Sequence, residues 1–95
     1  ITRLQAELAG EVATQNATIA RWESEARTAE ADYERFRQLY QQGAIAASSL
    51  DSRRLAAETA MAQLQEARAR QRRTSETLKA QLREAGATLN RIAEV

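Results

Sequence analysis

Apolar residues recur along this chain at alternating three- and four-residue steps, on both sides of a single interruption. Counting back from the interruption, the first series is Tyr40, Phe36, Tyr33, Ala29, Ala26, Trp22, Ile19, Gln15, Val12 and Leu8. All but Gln15 are apolar, and the alternation is that of a heptad seam along one face of a helix. Leu4 falls one step out of phase, so the first turn is expected to drift or fray. Counting forward, the second series is Leu50, Arg54, Ala57, Met61, Leu64, Arg68, Gln71, Ser75, Leu78, Leu82, Ala85, Leu89 and Ile92. Its ends are apolar and its middle is polar.

The interruption lies within Arg35 to Asp51, a stretch that holds the one run without helical character and contains Gly43. Two long heptad segments joined by a short glycine-containing break predict an all-α fold, a long two-helix antiparallel coiled-coil hairpin. Helix 1 is expected over about residues 2–42, a tip loop over 43–47 and helix 2 over 48–94. Gly43 is the expected left-handed stop. Ser48-x-x-Asp51 offers a capping box, with a start at Ala46 as the alternative. About 40 residues per helix predicts a stalk of about 60 Å.

In an antiparallel pair, facing positions add to a constant, here about 90. That sum sets Tyr40 against Leu50, Tyr33 against Ala57, Ala29 against Met61 and Ala26 against Leu64. Further down it sets Trp22 against Arg68, whose stem and charge suit an indole, and Val12 against Leu78. Ile19 then meets Gln71 and Gln15 meets Ser75, a weakly packed or wet middle. The pattern also admits a register one heptad away. Gly10 and Gly86 fall inside the helices near the base.

Composition agrees with this reading. Among 95 residues there is no proline or cysteine, and there are three glycines and four aromatics. Ala, Leu, Gln, Glu and Arg dominate, all strong helix formers. Such a hairpin buries one seam and is marginal alone, so it is expected to continue into another domain or to pack on copies of itself. Fourteen basic and 13 acidic residues are mixed along the chain, which gives no argument for nucleic acid or an anionic membrane. No apolar run is long enough for a membrane span.

The chemistry available is sparse. There is no His and no Cys, which removes the common zinc sites and most catalytic triads. No enzyme, cofactor or metal is expected, since the carboxylates lie along helix surfaces, as in Glu23 with Arg27. Arg68, Arg70, Arg72 and Arg73 form the densest charge cluster, but they point several ways around a helix, with Glu66 and Glu76 nearby. The tip is more informative. Phe36 and Tyr40 already occupy the seam, so Leu39, four residues after Arg35, is left as an apolar residue near the surface. Ile45 adds a second apolar residue within the turn.

Arg35, Leu39, the stretch Gly43-Ala-Ile-Ala46 and Leu50-Asp51 resemble the hairpin tip of the periplasmic membrane fusion proteins. These are the adaptor subunits of Gram-negative tripartite efflux pumps and type I secretion systems. The family pattern runs R-x-x-x-L-x-x-x-G-x-I-S. Arg35, Leu39, Gly43 and Ile45 match it, and Ala46 stands where the family has serine, with Ser48 and Ser49 close behind. YERFRQLYQQGAIAASSLDSRRLAAETA and REAGATLNRIAEV look most like the DevB-type adaptors of ABC exporters, best known from cyanobacteria. The resemblance covers the chain as a hairpin domain only; the lipoyl, β-barrel and membrane-proximal domains of a full adaptor lie outside it.

The resemblance implies a periplasmic protein anchored at the inner membrane, working with an ABC transporter through those other domains. Its hairpin tip, at Arg35, Leu39, Gly43, Ile45 and Ala46, would meet a TolC-like outer-membrane channel. Six copies packed side by side would form a tube. Two other readings are a helical arm of an unrelated protein, such as an RNA-binding hairpin, and a coiled-coil dimer with one continuous helix. An RNA-binding arm needs a basic tip, whereas Gln41 to Ser49 carries no charge. Gly43 and the break in phase oppose a continuous helix.

Overall fold

A computed structural model describes residues 2–94, except the side chain of residue 94. Two helices, α1 (Arg3–Gln41) and α2 (Ala47–Glu94), fold back on each other as an antiparallel hairpin, a rod of 78 × 16 × 14 Å. It is longer than the expected stalk because the helices are unequal, 39 and 48 residues. At 1.5 Å rise α2 alone spans about 72 Å. Its last turns run past the start of α1, where Leu89 and Ile92 are each 67% exposed. Neither helix is long and apolar enough to cross a membrane.

The first turn does not fray. Thr2 and Gln5 form a capping box: the Gln5 N–H donates to Thr2 Oγ1 at 3.1 Å, and the Thr2 N–H donates to Gln5 Oε1 at 2.9 Å. Two orphan donors are satisfied reciprocally. Gln5, not Leu4, continues the seam; it is 5% exposed and Leu4 48%.

At the other end of α1, Gly43 takes φ 74°. The Ala44 N–H donates to the Leu39 carbonyl and the Gly43 N–H to the Tyr40 carbonyl, both at 2.9 Å. This is a Schellman closure, which needs the left-handed residue that glycine supplies at no steric cost. Helix α2 then starts earlier than Ser48. The Ala46 carbonyl accepts from the Ser49 and Leu50 N–H groups at 3.1 and 3.4 Å, so Ala46 holds the N-cap position. Ser48 lies inside the first turn and cannot cap it. Asp51, the other half of the expected box, pairs instead with Arg54 at 3.2 Å.

The register agrees with a facing sum of about 90: Gln15 meets Thr74, Glu23 meets Arg68 and Phe36 meets Arg53. The α2 seam needs a correction. The positions Ala57, Leu64, Gln71, Leu78 and Ala85 face α1 as the pattern indicates, but the alternate positions are Ala60, Ala67, Thr74 and Gln81, one residue earlier than read. Met61 (39% exposed), Leu82 (48%) and Arg54 sit on the flank. Alanine is the physical reason near the tip. Ala26, Ala57 and Ala60, all under 8% exposed, let the backbones approach closely, and the longer Met61 stays at the rim.

The core is Ala26, Ala60 and Leu64, packed against Ile19, Trp22 and Ala29. It lies in the half of the rod nearer the turn. Below it the seam is polar. Gln15 is 7% exposed, and its Nε2 donates to Glu11 and to Thr74 at 3.1 Å each, while its Oε1 has no partner among the described residues. Among the described residues Arg68 makes no cation–π contact with Trp22. Arg68 pairs with Glu23 at 3.4 Å, and Arg21, from the same helix, stands 5.4 Å over the indole. Glu23 therefore bridges the helices instead of pairing with Arg27.

Candidate docking tip

The closed end of the rod is assembled from the last two turns of α1, the turn, and the first two turns of α2. A ring of charge surrounds it. Arg35 pairs with Asp32 at 3.4 Å, and its side chain remains 66% exposed. Arg37 makes two bonds to Glu34, at 2.7 and 3.1 Å. That forked contact holds the Glu34 carboxyl below the ordinary glutamate value and raises Arg37. Arg54 pairs with Asp51. All three are three-residue neighbours on one helix, so they stiffen each helix locally and leave the tip between them free of charge.

Arg53 is used differently. Its guanidinium lies 4.4 Å over the Phe36 ring, a cation–π contact that ties the first turns of α2 to the last turns of α1. The seam reading did not single out Arg53. The facing sum of about 90 carried the signal, since it sets position 53 beside Phe36.

The structure exchanges the roles expected of Leu39 and Tyr40. Leu39 is half-buried and helps close the hairpin, while Tyr40, assigned to the seam, is 44% exposed. Beyond Phe36 the inward face of α1 steps three residues to Leu39, one residue short of the four-residue step to Tyr40. Ile45 is half-buried under the turn, and Gly43 and Ala46 are exposed. The five residues that match or border the tip pattern therefore lie together at one end. Arg35, Gly43 and Ala46 are open to solvent, and Leu39 and Ile45 form the support beneath them.

This surface can donate hydrogen bonds through Arg35 and through the first N–H groups of α2, for which Ala46 has no side-chain acceptor. It can bury apolar area through Tyr40 and the edges of Leu39 and Ile45. Phe36, Ser48, Ser49, Ser52 and Arg53 line a shallow recess of about 270 Å³. Among the described residues no three His, Cys, Asp or Glu side chains come together to hold a metal.

Away from the tip, Arg70 pairs with Glu66 and Arg68 with Glu23, while Arg72 and Arg73 are exposed. The four arginines do not form one stripe. A groove of about 360 Å³ runs between the helices over Ala26, Met61 and Leu64, edged by Glu23, Glu30 and Arg68. No family model, curated protein or solved structure matches the chain.

Proposed function

We propose that this chain is the hairpin of a periplasmic adaptor in a tripartite ABC export system, docking by its tip onto a TolC-like outer-membrane channel. The observation that carries the reading is the closed end of the rod. A turn without charge, Gln41 to Ser49, is ringed by arginines and carries Arg35 in the open above Leu39 and Ile45. A helical rod of 78 Å suits a spacer that holds a small contact surface away from its anchor. In the proposed assembly Arg35 exchanges Asp32 for a carbonyl or carboxylate of the channel, and Tyr40 and Leu39 meet its helices. Copies pack side by side, six to a tube, with the groove at Met61 facing the neighbour. The remaining adaptor domains reach the inner-membrane ABC transporter.

The test is site-specific crosslinking from positions 40 and 44 of the full adaptor to a TolC-like channel, with export measured in parallel. Arg35→Ala is expected to abolish both while the helicity of the hairpin is retained, and Leu39→Asp, which also removes support from beneath the turn, is expected to abolish both with a lowered melting midpoint. Crosslinking and export at normal levels in both variants refute tip docking.

A further inference from the structure

We propose that the half of α2 beyond Gln71 has a second packing on α1, reached by rotation about its own axis, in which Leu82 enters the seam in place of Gln81. In the packing observed, the base of the rod is built from the wrong residues for a dry interface. Gln5 and Gln15 are the buried positions of α1, and Thr74 and Gln81 face them from α2. No described side chain of α2 beyond Leu64 is fully buried. One position away, Leu82 is 48% and Leu89 67% exposed. Leu78, Leu82, Ala85 and Leu89 form an apolar row of their own, and the facing sum sets Leu8, half-buried, opposite Leu82.

The two packings are close in geometry. Neighbouring residues are about 100° apart around a helix, so moving the centre of the face from the Gln81 row to the Leu82 row takes about 50°. A straight α-helix drifts about 20° per heptad from a supercoiled one. From Leu64 to Leu82 is about two and a half heptads, so that drift supplies the rotation. The change is a loss of supercoil in the basal half and requires no break in the helix. The core at Ala26, Ala60 and Leu64 acts as the fixed end.

Little holds the observed packing against this turn. The cross-helix bonds at the base are Gln15 Nε2 to Thr74 Oγ1 and a 3.4 Å contact from Gln5 Nε2 to the Gln81 carbonyl. The Thr74 hydroxyl donates to the Arg70 carbonyl of its own helix and keeps that bond. The pair of Lys79 with Glu76 is also within α2 and turns with it. The bridge from Arg68 to Glu23 lies on the fixed side. Two discrete packings of one helix, separated by a small rotation, form a two-state element that a load or partner at either end can bias.

Backbone relaxation dispersion on the full chain tests this on the microsecond to millisecond scale. Exchange broadening is expected for amides 72–93 and not for 47–64. Leu82→Gln removes what the second packing buries. Gln81→Leu locks the first. Both variants are expected to quench the exchange, and both change residues that the core does not use. Flat profiles in the parent chain, exchange of equal size in both halves, or exchange that survives either variant overturns the proposal.

Discussion

Replacing Ala46 with serine tests the geometry of the turn most directly. Ala46 accepts the first backbone bonds of α2, from Ser49 and Leu50, and so occupies the N-cap. Alanine there offers no oxygen to the N–H groups of Ser48 and Ser49. Ser49 already has the Ala46 carbonyl at 3.1 Å, so the gain comes chiefly from the Ser48 N–H. A serine hydroxyl at this position accepts from the second or third N–H of the helix, and the exchange is worth about 1 kcal/mol. Ala46 is exposed, so one added oxygen meets no packing cost. For a domain of this size that free energy raises the melting midpoint by about 4–8 °C. Circular dichroism at the helical minimum reads the transition, with urea unfolding as the second measure. Ser48→Ala is the control. Because Ser48 lies inside the first turn, its loss is expected to be neutral or slightly stabilising. An unchanged or lower midpoint for Ala46→Ser, or a loss of about 1 kcal/mol in Ser48→Ala, refutes the placement of the cap.

Three further outcomes follow from the same packing. Gly10→Ala and Gly86→Ala are each expected to stabilise the hairpin by about 1 kcal/mol in urea unfolding, since a methyl group at either position meets nothing within 4 Å. Leu64→Ala is expected to cost about 2–3 kcal/mol, because Leu64 is 4% exposed in the core, whereas Met61→Ala on the flank is expected to cost less than about 1 kcal/mol; equal losses contradict the seam assignment. The carboxyl of Glu34 is held low by Arg37, so its contribution is present above the unfolded glutamate value and is lost as pH falls through the lower folded value. Helix content near the tip, followed by NMR through an acid titration, is expected to decline over that window in the parent chain and to lose that component in Glu34→Gln.

The hairpin was legible because its evidence is distributed: ten seam positions before the break, thirteen after it, and a glycine between them. Gly43 with its positive φ is the clearest local signal, since the left-handed turn leaves few alternatives. Hydrophobicity alone does not choose between adjacent positions. Met61 and Leu82 are better seam residues than Ala60 and Gln81 by character, yet close approach of the backbones at Ala57 and Ala60 sets the phase, and the rest of α2 follows. At the end of α1 the choice between neighbours likewise went to Tyr40 by character, and the half-buried position is Leu39. The Thr2–Gln5 box is written in the sequence as T-x-x-Q, one position from the more apolar Leu4. Ser48 drew the cap because serine favours it in general; the turn length placed that role on Ala46. The five tip residues do converge on one end. Which of them point outward depended on a single-residue phase that the pattern alone does not resolve.

The short turn also has a consequence for the order of folding. Phe36 and Arg53 close a short loop, whereas Gln15 with Thr74 and Gln5 with Gln81 close much longer ones. Once the tip is formed, each successive layer adds only a small increment of closure entropy, which grows slowly with loop length. The chain is therefore expected to nucleate at Gly43 and to zip toward its two ends, through the alanine core first and the glutamine layers last. Damage at the turn slows the approach to the native state, and damage at the base hastens departure from it.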